Sequence, residues 1–251
     1  MSDILTAQNV IERSQEVIER CLPHDEPRRV LDAGCGHHGY VTFGAQAHVV
    51  GIDISETSLA NANHVHEKIV ADLLTYPLEH SSFDAIVCWD VLEHLPTPEK
   101  ALEKFADAVV SGGVIVLGMP NIWSLKGIVT KLTPHALHVW AYRHLLGSDN
   151  AGIEGNGPFR TFMRRSMSIP AVRRFAVKTG LKVEYLGLYE TPMLASLLTT
   201  RRAQLLWNVV GRCVQVLTFN RIDAKQSDLV IILKKGTESV AVPQEYTPIV
   251  T

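Results

Sequence analysis

The first half of the chain alternates short, strongly apolar runs with segments in which apolar residues recur at helical spacing. Apolar runs of this length predict buried strands, and the periodic segments between them predict helices. The predicted strands lie near 29–32, 48–53, 68–72, 83–88 and 113–118. Helices are predicted near 40–46, 55–65 and 97–110. Such alternation implies a parallel sheet with right-handed crossovers, which binds ligands outside the carboxyl ends of its strands.

The pattern differs at both ends of this alternating region. Apolar residues at helical spacing predict an amphipathic helix over residues 4–22, ahead of the first strand. After Asn121 the alternation stops, and it resumes only with a helix at about 168–179 and a strand at 182–188. A mostly helical apolar segment at 192–218 then precedes a closing strand at 228–233.

A glycine-rich turn follows the first predicted strand. It contains Gly34, Gly36 and Gly39, and glycines let a backbone approach a ligand closely. Asp53 ends the next strand, where a carboxylate can accept both hydroxyls of a ribose. Asp32, two residues before the first glycine, adds a negative charge that would repel a pyrophosphate but suits a cation. The pattern therefore indicates a nucleoside cofactor that carries positive charge.

This turn resembles motif I of the class I S-adenosylmethionine-dependent methyltransferases, and three further motifs follow in that family's order. The matching segments are Asp32-Ala33-Gly34-Cys35-Gly36, Ala71-Asp72-Leu73, Phe83 to Leu95, and Gly112 to Leu117. Within the third, Asp90-Val91-Leu92-Glu93-His94-Leu95 is similar to the small-molecule branch often grouped as type 11. The resemblance implies S-adenosyl-L-methionine as cofactor.

The resemblance also implies the fold class. We expect an α/β protein with a Rossmann-like, seven-stranded, mostly parallel sheet, an antiparallel last strand, helices on both faces, and insertions after strands 5 and 6. The cofactor-binding domain is expected at 28–120 and 168–236. The remaining segments are expected to be a capping helix at 1–27, an acceptor-binding or lid insertion at 121–167, a helical insertion at 191–220 and a flexible tail at 237–251.

The resemblance assigns cofactor contacts to ten residues. The methionine end is expected to meet Asp32, Gly34, Cys35 and Gly36. Asp53 and Ile54 would hold the ribose, Asp72 and Leu73 would flank the adenine, and Trp89 and Asp90 would close the pocket. Cys35 is interpreted as a packing residue and not as a nucleophile.

The insertion after Asn121 carries the candidates for acceptor chemistry. An alcohol must lose its proton to attack a methyl group, and histidine is the usual base. His144 is our first candidate for that base and His138 the second, since helical spacing puts His144 beside the aromatic Trp140. Asp149 and Glu154 could hold Mg²⁺ against acceptor oxygens, although their spacing is not that of a metal site.

The acceptor itself is inferred only broadly. The middle region resembles, more weakly, bacterial enzymes that methylate sugar hydroxyls in envelope glycolipids or methylated mannose polysaccharides. We therefore expect O-methylation of a sugar or glycolipid. The alternatives are C-methylation of a quinone-like acceptor, a nicotinamide-dependent oxidoreductase built on the same glycine turn, and a cofactor-binding partner without catalysis.

Charge is distributed unevenly between the two halves of the chain. Residues 1–120 contain 18 Asp and Glu against seven Lys and Arg, whereas residues 121–220 contain four against 13. The basic half could attract an anionic acceptor or a membrane surface, or could pair with the acidic half. The apolar segment at 192–218 could form a homodimer contact, a wall of the acceptor pocket or a membrane-facing helix.

Other features exclude several classes of protein. The four cysteines lack the paired spacing of zinc sites or of a disulfide scaffold. No nucleic-acid module is recognisable. No apolar run is long enough to span a membrane, and the first residues do not resemble a signal peptide, so we expect a cytoplasmic protein.

Overall fold

The computed structural model describes residues 6–22, 26–145, 147–153, 157–191, 201–219, 222 and 226–237. The strands are β1 (Arg28–Ala33), β2 (Ala47–Asp53), β3 (Glu67–Val70), β4 (Phe83–Trp89), β5 (Val109–Pro120), β6 (Leu181–Tyr189) and β7 (Asp228–Lys235). The α-helices are α1 (Ala7–Cys21), α2 (Glu56–Ala60), α3 (Pro98–Ala108), α4 (Leu125–Leu132), α5 (His135–Leu145), α6 (Ile169–Lys178) and α7 (Arg201–Leu217). Single 3₁₀ turns cover Leu92–His94 and Arg165–Met167.

The strands form one seven-stranded sheet in the order β3-β2-β1-β4-β5-β7-β6. β7 runs antiparallel to both neighbours, whereas the other described pairs are parallel. This confirms the predicted fold class. Because Asp32 is in register with Gly51 of β2 and Val87 of β4, the carboxyl ends of the three strands lie side by side.

Apolar layers cover both faces of the sheet. One layer packs Leu31, Ile86 and Ile115 of the strands against Phe105 of α3. The other packs the opposite strand faces against α1, whose Val10 and Ile18 are buried, and Thr6 caps the start of this helix. Burying a large aliphatic or aromatic side chain stabilises the fold by about 1.5–3 kcal/mol, so the two layers hold the sheet rigid beneath the loops at its carboxyl edge.

Two predicted helices differ from the structure. The helix predicted at 40–46 is wrong, because this segment is an irregular loop. The Gln15 side chain accepts a hydrogen bond from Thr42 N and donates one to Thr42 O, so a side chain of α1 replaces helical hydrogen bonds, and Gly44 has φ +82°. The helix predicted at 55–65 ends at Ala60, where the Asn61 side chain bonds back to the carbonyl of Thr57.

The insertion after β5 folds into α4 and α5, with Ser124 capping α4. Of the residues proposed for Mg²⁺, Glu154 lies outside the described residues. Residues 192–200 and 238–251, parts of the predicted helical insertion and tail, also lie outside them. Among the residues that the structure describes, no helix combines the length and apolar character needed to cross a membrane.

Candidate active site

Two cavities lie at the carboxyl edge of the sheet. The first, of about 620 Å³, is lined by the glycine turn and the ends of β2 and β4, and we call it the glycine-loop cavity. The second, of about 780 Å³, is lined mainly by α4, α5 and the segment 157–163, and we call it the insertion cavity. They share one wall, formed by Tyr40, Trp89, Asp90, His94 and Phe159.

The ten residues predicted to contact a cofactor all line the glycine-loop cavity. They are Asp32, Gly34, Cys35, Gly36, Asp53, Ile54, Asp72, Leu73, Trp89 and Asp90. The structure therefore brings these residues together although they come from four separate segments of sequence. Their individual contacts with a ligand remain predictions.

Backbone conformation explains the glycines of the turn. Gly34 and Gly36 have φ of +76° and +52°, a region that residues with a Cβ rarely adopt. A Cβ on Gly34 would lie 2.3 Å from Cγ2 of Val91, whereas a Cβ on Gly36 would meet nothing within 4 Å. The turn thus needs glycine at position 34 for packing and leaves open space above Gly36.

The turn also fixes the carboxylate at the end of β2. Asp53 Oδ2 accepts a hydrogen bond of 2.9 Å from Gly36 N, and Oδ1 accepts one of 2.8 Å from Ser55 N. Each oxygen keeps a second acceptor position, because a carboxylate oxygen can accept two hydrogen bonds. The carboxylate is therefore held in one orientation at the cavity wall and can still accept from a ligand.

Asp32 is held by a histidine that the sequence did not indicate. Its Oδ2 lies 3.0 Å from Nε2 of His64, which follows α2. Burial raises the pKa of Asp32, and the hydrogen bond to His64 opposes that shift. Nearby, burial raises the pKa of the Cys35 thiol to about 12, which leaves it protonated and supports its interpretation as a packing residue.

The shared wall is built around a stacked aromatic pair. The rings of Tyr40 and Trp89 lie 4.5 Å apart and nearly parallel, and the Tyr40 hydroxyl donates to Asp90 Oδ2 at 3.2 Å. Trp89 lies flat against Gly118, where a Cβ would come within 2.2 Å of its ring. Gly118 therefore determines where the Trp89 ring sits.

His94 occupies the point where the two cavities meet. Its Nδ1 lies 2.8 Å from the carbonyl oxygen of Arg160. A carbonyl can only accept, so Nδ1 carries the proton and Nε2 carries the lone pair of the neutral ring. Burial lowers the pKa of His94, which favours that neutral form. The ring is thus oriented with Nε2 as its proton acceptor, 3.9 Å from Oε1 of Glu93.

Carboxyl groups cluster beside His94 on the side of the insertion cavity. Burial and the neighbouring Asp228 raise the pKa of Asp90 to about 6, whereas Lys126, which forms a 2.7 Å ion pair with Asp228, opposes this. Burial and Asp90 raise the pKa of Glu93 to about 8, so Glu93 is mostly protonated at neutral pH. Its Oε2 is buried without a hydrogen-bond partner among the described residues.

The two predicted base candidates are placed differently. His138 lines the insertion cavity, with Nε2 2.5 Å from the Thr133 hydroxyl. His144 is exposed, packs its ring 5.4 Å from Trp140, and is not among the residues that line either cavity. In the described part of the chain, no group of three or more His, Cys, Asp or Glu side chains is arranged to hold a metal ion.

Several lining residues were missed by sequence reasoning. Glu93 lies inside the third motif, next to His94, and Tyr40 directly follows the glycine turn; neither received a role, although these positions were the available signal. Phe159 and Trp207 reach the insertion cavity from segments remote in sequence, for which no local signal exists. The helix α1, expected to cap the cofactor, lines the insertion cavity with Ala7 and Ile11, and none of its described residues lines the glycine-loop cavity.

Comparison with known proteins gives the family. Residues 7–183 match a family described as "Methyltransferase domain". The chain belongs to the class I S-adenosylmethionine-dependent methyltransferases. S-adenosylmethionine is therefore the cofactor of this methyltransferase. The chain is a methyl-transferring enzyme. This finding takes the place of two hypotheses from the sequence, a nicotinamide-dependent dehydrogenase and a cofactor-binding partner without catalysis.

Relatives of the methyltransferase are distant but cover much of its length. A ubiquinone biosynthesis O-methyltransferase of Paraburkholderia phymatum is 29% identical over 185 residues, which cover 65% of this chain and 78% of that protein. An S-adenosylmethionine-dependent methyltransferase structure from Listeria monocytogenes has a TM-score of 0.54 at 15% identity and covers 90% of this chain and 97% of that one. Phosphoethanolamine N-methyltransferase 2 of Haemonchus contortus, solved with S-adenosyl-L-methionine, has a TM-score of 0.52 at 18% identity, covering 90% and 52%. The two structures share the fold of this methyltransferase.

Proposed function

We propose that this methyltransferase transfers the methyl group of S-adenosylmethionine to a hydroxyl oxygen of a small, largely apolar acceptor. The observation that carries the proposal is the shared wall between the cavities, because a methyl donor in one cavity and an acceptor in the other would meet at His94. Alignment of acceptor and methyl group is the main contribution that a protein makes to this reaction.

The polar groups that line the glycine-loop cavity fit the hydroxyl and charged groups of the cofactor. Asp53 would accept the two ribose hydroxyls, since its carboxylate is already oriented by Gly36 N and Ser55 N. Asp32, Gly34, Cys35 and Gly36 would surround the methionine end, where acidic side chains suit a cation. When bound, S-adenosylmethionine supplies a methyl group on a positively charged sulfur. Ile54 would lie with Asp53 at the ribose, Asp72 and Leu73 would flank the adenine, and Trp89 and Asp90 would close the pocket on the side of the acceptor.

The insertion cavity favours an acceptor with substantial apolar surface. Its lining is mainly apolar and aromatic, including Val129, Leu137, Phe159 and Trp207. The name of the P. phymatum relative refers to O-methylation in ubiquinone biosynthesis, which supports a hydroxyl on an aromatic ring with an apolar substituent. This lining argues for such a phenol over the sugar or glycolipid expected from the sequence.

His94 is the best-placed general base for that hydroxyl. Its Nδ1–H donates to the carbonyl of Arg160, so Nε2 carries the lone pair that would take the acceptor proton as the oxygen attacks the methyl carbon. His138, the second candidate from the sequence, also lines the insertion cavity, and its bond to Thr133 suits acceptor positioning. His144 is the weaker candidate, since its ring is exposed beside Trp140.

A transfer assay tests the proposal directly. The chain is incubated with S-adenosylmethionine labelled in its methyl group and, separately, an alkyl-substituted catechol, the corresponding quinone and a sugar. We expect a labelled methyl ether of the catechol, identified by mass spectrometry. Label on a ring carbon would replace the proposal with C-methylation, and label on the sugar would restore the glycolipid hypothesis.

A further inference from the structure

Three of the helices that line the insertion cavity, α4, α5 and α7, carry charge of only one sign. α4, α5 and α7 each contribute lining residues, such as Val129, Leu137 and Trp207. Their sequences contain Lys and Arg but no Asp or Glu. Lys126 is used internally, in its ion pair with Asp228. Lys131 of α4 is exposed and can face a ligand outside the fold.

α7 has an apolar side that the described fold leaves exposed. Leu205 and Val216 are 67% and 75% exposed, and Val209 lies between them on the same side at helical spacing. Arg201 and Arg212, also exposed, fall along this side, one turn before Leu205 and one turn before Val216. We call these five side chains the docking face.

The opposite side of α7 holds the helix to the protein. Trp207 lines the insertion cavity and donates from its indole nitrogen to Glu190 at 3.0 Å, and Gly211 is buried. α7 is therefore anchored through one side, while the other presents leucine, valine and arginine outward. An exposed apolar patch of this kind marks an interaction surface.

The mixture of side chains identifies the partner's chemistry. Apolar side chains flanked by arginines suit the interface of a bilayer, where the apolar groups enter the acyl boundary and the arginines meet anionic headgroups. A symmetric contact with a second copy would offer Arg201 and Arg212 no acidic partner, because the docking face contains neither Asp nor Glu. Nucleic acid would leave the apolar side chains without a partner.

We propose that the docking face binds the surface of an anionic lipid bilayer and so holds the insertion cavity beside the membrane. A membrane-embedded acceptor could then reach the cavity without crossing water. That last consequence rests on the proposed function, whereas bilayer binding does not.

Vesicle flotation tests whether the arginines of the docking face bind anionic lipid headgroups. The full chain is mixed with vesicles of phosphatidylcholine alone or of phosphatidylcholine with phosphatidylglycerol, at low and high salt. We expect binding to the mixed vesicles that weakens with salt, since ions screen surface charges. Arg201→Gln together with Arg212→Gln should weaken binding about tenfold or more. Arg173→Gln with Arg174→Gln, an exposed pair on α6, is the matched control and should change little.

Substitution of the apolar residues of the docking face tests whether they enter the bilayer. Leu205→Ser with Val216→Ser should also reduce binding to mixed vesicles, whereas Val177→Ser on α6, where the side chain is 82% exposed, should not. Absence of vesicle binding, or equal loss in the control variants, would overturn the proposal. A dimer that the docking-face substitutions dissociate, measured by analytical ultracentrifugation, would instead identify a second copy as the partner.

The same variants separate this inference from the proposed function. Methylation of a short-chain, water-soluble catechol without vesicles should be unchanged in the docking-face variants, because none of the substituted residues lines a cavity. Loss of vesicle binding with retained methylation would support both proposals together. Vesicle binding by a chain that methylates no catechol would leave the docking face standing and remove the proposed acceptor.

Discussion

The two cavities differ in how the chain builds them. The glycine-loop cavity is formed by residues at the ends of neighbouring parallel strands, where β1, β2 and β4 deliver short motifs to one edge. The insertion cavity collects residues from α1, α4, α5, β6, α7 and β7, elements that are spread over the whole length of the chain. A cavity made by local motifs can be recognised in a sequence, whereas one made by remote packing needs the fold. His94 lines both cavities, so the first prediction concerns this residue.

The largest effect is expected for His94→Gln. Glutamine can still donate to the Arg160 carbonyl but is not a base, so kcat should fall about 10²- to 10⁴-fold while the fold is retained. His144→Gln, an exposed control, should leave kcat unchanged. Because burial lowers the pKa of His94, the acid limb of kcat should lie below pH 6.5, the ordinary value of histidine. Full activity in His94→Gln would return the role of base to His138.

The fold could be predicted from the sequence to the extent that local constraints determine it. The position of Asp53 could be predicted because the last residue of a strand necessarily lies at the edge of the sheet. The segment 40–46 was mispredicted because the side chain of Gln15, far away in sequence, bonds the backbone N–H and carbonyl of Thr42 in place of helical partners. Helical spacing correctly placed His144 beside Trp140 on α5. It could not show that this side of α5 faces away from the insertion cavity, because the packing of α5 depends on residues remote in sequence.

The second prediction concerns Glu93, which precedes His94 in the third motif and lines the insertion cavity. Its pKa in the folded protein is about 8, above the ordinary value of 4.5, so between these values the folded state binds more protons than the unfolded state. The free energy of unfolding contributed by Glu93 is therefore intact below about pH 4.5 and is lost as pH rises towards 8. Glu93→Gln should remove this dependence, on the order of 3 kcal/mol across the window.

Urea unfolding from about pH 5 to about pH 8 measures the difference between wild type and Glu93→Gln. Taking the difference cancels the titration of the groups that do not interact with Glu93. Glu103→Gln on the exposed side of α3 serves as the control and should keep the wild-type slope. Parallel curves for wild type and Glu93→Gln would mean that Glu93 is not the buried acid that its surroundings indicate.

The third prediction asks whether the cavities are separable in binding. Asp53→Ala removes the acceptor of two backbone hydrogen bonds and of the proposed ribose contacts, so the Kd for S-adenosylhomocysteine should rise about 100-fold by calorimetry. Leu137→Ala, in the insertion cavity, should leave that Kd unchanged and raise the KM of the acceptor. If Leu137→Ala weakened cofactor binding as much as Asp53→Ala, the two cavities would be one site.

The smallest effect is expected from a pair of glycines in the same turn. Gly34→Ala and Gly36→Ala each place a Cβ at positive φ, which costs about 1 kcal/mol. Only the Cβ at position 34 also meets Val91, a β-branched side chain that turns with difficulty. Without cofactor, Gly34→Ala should therefore lower the free energy of unfolding by about 1–2 kcal/mol more than Gly36→Ala.

Val91→Ala provides the test of that cause. In the double variant the Gly34→Ala penalty should shrink towards that of Gly36→Ala, because the colliding methyl groups are gone. An unchanged penalty would show that packing does not require the first glycine. If the coupling is found, Gly34 serves packing and ligand approach together. The packing against Val91 and the approach of the ligand then both require glycine at position 34. Such local requirements leave a recognisable sequence motif at the glycine-loop cavity, whereas the insertion cavity is built by packing between remote segments.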